Sequence, residues 1–212
     1  MTTPQGSRHH IRERLVSLLA KAGFKDEYFL VFLSVVIGAA TGVGAHFFFQ
    51  ALEWATELAY GLEGGLYDGR WYMLIALPVG GAFAVGLITH YFAREAKGHG
   101  VPEVMDAMYR QGGVVRPRVA IAKAIASALT IGSGGSAGTE GPIIQIGAAI
   151  GSGFGQLLHI HRRQMSLLVA CGVSGGIAAI FNAPIAGVLF ALEIFLKDFS
   201  LRTFSPVVFA SV

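Results

Sequence analysis

The charged residues of this chain are unevenly spread, and the gaps between them define its elements. Tyr28 to Leu52 contains no Asp, Glu, Lys or Arg, and Trp71 to Ala93 repeats the pattern. Each run reaches the roughly 20 residues that cross the hydrocarbon core of a bilayer as a helix. Gly141 to Leu158 is a third uncharged run, and Met165 to Leu192 a fourth, interrupted by Pro184 near its middle. A proline there removes a backbone donor and crowds the turn before it, so two short helices are expected rather than one long one. Val119 to Ile131 is apolar and predicted helical apart from Lys123. Ile11 to Phe24 has a different pattern. Ile11, Leu15, Leu18, Leu19 and Ala22 share one helical face, with Arg12, Glu13, Arg14 and Lys21 mostly elsewhere. That predicts an amphipathic helix lying on a membrane surface.

Composition sharpens this into an all-α multi-pass membrane protein. The chain is 53% hydrophobic and 14% charged, against roughly a quarter charged in a soluble domain. The net charge of +3 follows from topology rather than nucleic-acid binding, because the basic residues cluster in Arg8 to Lys25, in Arg94 to Arg118, at Arg162 and Arg163, and at Lys197 and Arg202. Gly61 to Arg70 holds Glu63 and Asp68 against one Arg. The positive-inside bias therefore predicts a cytoplasmic N-terminus and an external 61 to 70 loop. Met1 to His10 is polar and shows no cleavable signal pattern. Cys171 is the single cysteine, so no internal disulfide can form and the redox compartment is not legible.

Glycine is over-represented, at 29 residues. Gly147, Gly151 and Gly155 form a repeated small-xxx-small pattern that lets two helices touch backbone to backbone. Other glycines, in Gly98-His99-Gly100-Val101-Pro102 and in Gly132 to Gly138, precede apolar segments and mark loops. Pro102 and Pro142 stand where proline suits a helix start. The segments that follow, Val101 to Gly113 and Gly141 to Gly155, are too short to cross a bilayer comfortably, so helices that begin inside the membrane are expected. Irregular backbone is tolerated at that depth only within protein or beside a watery cavity, and free amides at a helix start attract anions. These loops therefore predict an anion site. Two ionisable residues add to it, since a charge inside the membrane is expensive and by default functional. Glu140 directly precedes Gly141-Pro142, and Lys123 supplies positive potential.

Blander readings compete for several of these residues. His99, taken alone, is more often a packing or hydrogen-bonding residue than an anion ligand. Glu103 and Asp106 read as the solvated face of a short helix, and Glu193 as an ion-pair partner of nearby Lys197. Gly172-Val173-Ser174-Gly175 matches the Gly-x-Ser-Gly of rhomboid-like intramembrane proteases, but no histidine follows His161 to serve as base. His99 and Glu103 lack a third metal ligand at matching spacing. The 132 to 138 loop lacks the lysine of a phosphate-binding loop. No enzyme activity, cofactor or metal is expected. A membrane scaffold without transport is the remaining alternative, but it leaves an acid in a glycine loop unexplained.

Three stretches in order, Gly98-His99-Gly100-Val101-Pro102-Glu103, Gly138-Thr139-Glu140-Gly141-Pro142 and Phe181-Asn182-Ala183-Pro184-Ile185-Ala186-Gly187, resemble the signature segments of CLC chloride channels and chloride/proton exchangers. The resemblance covers roughly Lys25 to Val212. It implies a cytoplasmic tail and surface helix over 1–25, followed over 26–212 by the N-terminal half of the CLC inverted-repeat domain, with the second repeat absent. It further implies a multi-pass protein of the cell membrane that carries chloride or a similar anion and pairs as a homodimer. Gly98, His99, Gly100, Val101 and Pro102, with Gly138, Thr139, Gly141 and Pro142, would line the anion path. Glu140 would be the gating glutamate, and Lys123 the family's buried lysine. Three departures qualify this. His99 replaces a serine that usually helps hold the central anion, and Thr139 replaces a Lys or Arg at the entrance. Ile194, after Phe190-Ala191-Leu192-Glu193, stands where many exchangers carry an inner proton-transfer glutamate. The last departure favours channel-like or weakly proton-coupled transport.

Overall fold

The computed structural model describes residues 26–61, 67, 69–91 and 98–212. The surface helix expected over 11–24, and the cytoplasmic tail before it, lie outside the described residues. All regular structure among the described residues is helical. Its elements in chain order are α1 (Asp26–Tyr60), α2 (Met73–Tyr91), α3 (Val101–Arg110), α4 (Pro117–Gly132), α5 (Glu140–Leu157), α6 (Arg162–Phe181), α7 (Pro184–Phe190), a π-helical turn (Ala191–Leu196) and α8 (Leu201–Ser211).

The uncharged runs become helices, with instructive differences at their ends. α1 continues past Leu52 to Tyr60 and carries Glu53 and Glu57, both exposed. Its 35 residues span about 52 Å at 1.5 Å per residue, longer than the roughly 30 Å hydrocarbon core. The carboxylates therefore mark its polar end, and any further excess is taken up by tilt. The run broken by Pro184 divides as expected. α6 ends at Asn182, which adopts the left-handed conformation (φ 50°), and Pro184 opens α7. The sequence did not announce the π-helical turn that continues α7, and Lys197 (φ 52°) terminates it. Such turns arise where one extra residue is accommodated in a helix, often at functional positions.

Among the described residues, three helices are long and apolar enough to cross a membrane: Tyr28–Tyr60, Met73–Tyr91 and Gln164–Phe181. Their surroundings differ. The window in Gln164–Phe181 is 72% buried, whereas that in Met73–Tyr91 is 0% buried. α6 is thus the hub, touching α1, α5, α7, the π-helical turn and α8. Leu168, Val169, Ala170 and Cys171 follow one another with no exposure at all, as expected of a helix that is apolar on every side and enclosed by others. α2 presents Leu74, Ile75, Val79 and Phe83 outward, a surface suited to lipid.

Small residues hold the hub together. α5 and α6 approach until a methyl placed on Gly147 would collide with the carbonyl oxygen of Gly172, and one on Gly172 with that of Gly147. Gly151 meets the Leu168 carbonyl and Gly155 the Met165 sulfur in the same way, so the 147, 151, 155 pattern is the contact surface it was read to be. A second tie fixes the loop between α3 and α4. The buried Ser152 hydroxyl on α5 accepts from the Val115 amide at 2.8 Å and donates to the Gly113 carbonyl at 2.7 Å. Gln156 Nε2 donates to the same hydroxyl at 2.9 Å.

Gly147→Val should therefore lower stability by about 3 kcal/mol or more, because a rigid backbone carbonyl rather than a movable side chain stands in the way. Gly153, in the same helix with nothing within 4 Å, is the control. Gly153→Ala should leave the thermal midpoint in detergent unchanged or slightly raised. Equal melting of the two variants would refute the backbone-contact account.

Candidate functional site

The first glycine loop ends in a backbone that only glycine adopts without strain. Gly98 and Gly100 have φ of 113° and 100°, and the chain enters α3 immediately afterwards, with Pro102 in its first turn. The second loop enters α5 at Glu140 through Thr139, whose side chain makes no capping bond. The two helix starts meet. A methyl on Gly100 would lie 2.5 Å from the Gly141 carbonyl oxygen, and one on Gly141 would collide with the His99 carbonyl. Of the residues predicted to line an anion path, His99, Gly100 and Gly141 are brought into direct contact, with Val101, Pro102 and Pro142 in the adjoining first turns.

The amides at these starts are unequally occupied. Gly100 donates its N–H to Glu103 Oε2 at 2.7 Å, which places that carboxylate on the α3 terminus. The amides of Val101, Glu140 and Gly141 have no hydrogen-bond acceptor among the described residues. Consecutive free N–H groups at a helix start carry partial positive charge and suit an anion.

The two carboxylates of the site also differ in how they are held. Glu103 is half-buried. One of its oxygens lies against Gly98 and the other accepts from Gly100. The Lys123 ammonium, within electrostatic reach of Glu103, donates to the Gly98 carbonyl. This corrects the reading of Glu103 as a merely solvated residue: the loop curls back and brings Gly98 and Gly100 onto it, a contact that residue spacing does not reveal. Asp106 does fit that reading, exposed and paired with Arg110 at 3.2 Å. Glu140, by contrast, is exposed and folds back over Gly138. Among the described residues no hydrogen bond or ion pair holds it. His99 is exposed, and it is its backbone carbonyl that faces Gly141.

Behind Glu103, an open cavity of about 530 Å³ lies between α3 and α4, lined by Pro102, Glu103, Gln111, Arg116 and Gln145 among others. The side-chain oxygen Oε1 of Gln145 is buried there without a hydrogen-bond donor among the described residues.

Residues outside this cluster fall into place as well. Ser174 is fully buried and donates to the Val207 carbonyl at 3.4 Å, tying α6 to α8. Glu193 is exposed and, contrary to expectation, forms no ion pair with Lys197. The left-handed turn at Lys197 carries that side chain away, and its ammonium sits 6.0 Å from the Tyr109 ring. Ile194 packs against the main apolar core beside Phe195.

Residues 80–212 match the family described as voltage gated chloride channel. The chain belongs to that family. It is 32% identical to the H(+)/Cl(-) exchange transporter ClcA of Vibrio cholerae over 173 residues, covering 80% of this chain and 37% of that protein. It is 35% identical to the chloride channel protein CLC-d of Arabidopsis thaliana over 185 residues, covering 76% of this chain and 23% of that protein. The solved structure of a CLC-type fluoride/proton antiporter superposes with a TM-score of 0.72 at 25% identity, covering 87% of this chain and 44% of the antiporter. The chain thus spans less than half the length of these relatives, and the matched segment includes both helix starts, Glu140 and Lys123.

The contact between the two starts leaves no room for a Cβ. Gly141→Ala should push the 98–100 backbone away from α5 and lower the thermal midpoint by the equivalent of about 1–3 kcal/mol. Gly86→Ala, inside α2 with nothing within 4 Å and no positive φ, should leave the midpoint unchanged or slightly raised. If Gly141→Ala melts like the parent chain, the two starts are not in contact.

Proposed function

We propose that these residues form the first half of a membrane anion transporter, in which the paired starts of α3 and α5 bind the anion and Glu140 gates it. One contrast carries the reading. Two helix starts touch, the Val101, Glu140 and Gly141 amides are free, and among the described residues Glu140 is the carboxylate beside them that nothing holds. An unheld anionic side chain and a permeating anion compete for the same positive potential. Family membership and the activities of the relatives, a chloride channel and a proton-coupled exchanger, support anion transport as the class. A chain of the relatives' length would supply the rest of the coordinating backbone.

Protonation would remove the Glu140 charge and with it the competitor, so acid should open the path. In the full-length protein reconstituted in vesicles, anion flux should rise on acidification. Glu140→Gln should give flux that is high and nearly independent of pH. Asp106→Asn is the control, because that carboxylate faces solvent and pairs with Arg110. A wild-type pH response in Glu140→Gln would reduce Glu140 to a helix-terminal carboxylate.

Proton coupling is a separate question, and it is decided beyond α7. Ile194 carries no proton and is packed into the core, which favours channel-like or weakly coupled transport. Full-length protein should therefore show anion flux with little stoichiometric proton countertransport. A fixed chloride-to-proton ratio, abolished by Glu193→Gln, would establish that the exposed neighbour relays protons instead.

A further inference from the structure

The site contains a second carboxylate that gating does not use. Glu103 is not free to move as Glu140 is. It spans the turn that precedes its own helix, with one oxygen against Gly98 and the other taking the Gly100 amide at 2.7 Å. Lys123, from α4, reaches the same turn from the other side and binds the Gly98 carbonyl. Two opposite charges from two helices therefore grip one three-residue loop, one at its amide and one at its carbonyl.

That loop needs restraint. Gly98 and Gly100 both occupy left-handed backbone conformations, and glycine loses more conformational entropy on ordering than any other residue. The loop also forms the wall against which Gly141 packs, so any drift changes the separation between the α3 and α5 starts. The cavity between α3 and α4 is lined by Pro102 and Glu103, so packing on that side does not hold the start of α3. Charge-assisted hydrogen bonds are stronger and better directed than neutral ones, and a half-buried setting strengthens them further.

We propose that Glu103 and Lys123 are paired positioning residues. They clamp the Gly98–Gly100 backbone and so set the geometry by which the site discriminates among anions, without either side chain acting as the gate. The clamp rests on the anion-site reading for its functional consequence. Its structural content stands apart from that reading.

The test has two arms. The first measures the ratio of nitrate to chloride flux in vesicles containing the full-length protein. Glu103→Ala removes both the charge and the acceptor, and should shift that ratio by about tenfold, the scale of one charge-assisted hydrogen bond. Glu103→Gln keeps an oxygen for the Gly100 amide and should recover most of the discrimination. Lys123→Met should shift the ratio in the same sense as Glu103→Ala, and the double variant should do little more than either single one, since both release the same loop. In all of them the pH response set by Glu140 should persist.

The second arm measures amide hydrogen exchange over residues 98–104. It should accelerate in Glu103→Ala and Lys123→Met, remain close to wild type in Glu103→Gln, and be unaffected by Asp106→Asn. Unchanged exchange and an unchanged flux ratio in Glu103→Ala overturn the clamp. Faster exchange with an unchanged ratio overturns its role in selectivity. A wild-type protein that moves no anion overturns the transport reading instead, while exchange over 98–104 still decides the clamp. Should Glu103→Ala fail to fold, Lys123→Met and Glu103→Gln decide it by the same two measurements.

Discussion

Close backbone approach is the constraint on which the rest of this structure depends. At Gly147 and Gly172 the central helices touch without an intervening side chain, and at Gly100 and Gly141 the two helix starts do the same. In lipid there is no hydrophobic drive to press one apolar helix against another, so association rests on van der Waals contact and polar ties. Both are maximal where backbones meet. The first contact seats α5 against the buried α6 and thereby fixes where α5 begins. The second brings the α3 turn to that beginning. Enlarging either glycine would therefore reach beyond local packing and alter the spacing of the groups that attract an anion.

Polar ties complete what the glycines allow. Ser152 anchors the loop after α3 by a pair of hydrogen bonds to backbone, while Glu103 and Lys123 hold the loop before it. α3 is thus restrained at both ends although it is only 10 residues long, below the length at which an isolated helix is stable in water. Its stability is borrowed from α4 and α5. The unheld Glu140 stands out against this background, since Glu103 and Asp106, the other described carboxylates near the site, each have a partner. A residue left without one at an otherwise restrained site is suited to move.

Much of this was legible in the chain. Uncharged runs located the spanning helices because charge is costly in hydrocarbon. Pro184 marked the break between α6 and α7, and the 147, 151, 155 spacing marked a contact surface. The pairing of glycine loops with Pro102 and Pro142 identified two helix starts, and Glu140 stood out as an acid in such a loop. These are local properties, determined by residue chemistry and by periods of a few residues.

Tertiary structure decided the rest. Glu103, read from spacing as a solvated residue, became a helix-terminal cap because the 98–100 turn, with its positive φ, curls back onto it. Glu193 and Lys197, four apart, were expected to pair, but a left-handed residue at 197 sends the lysine to Tyr109 instead. Nothing in the sequence singled out Ser152, yet the fold brings the 113–115 loop to its hydroxyl. In each case the partner lies across a turn of unusual backbone geometry or on another helix. Hydrophobic period and charge pattern determined which segments cross and which begin midway. Which polar groups meet, and so which carboxylate is held and which is free, was decided only when the helices closed on one another through their glycines.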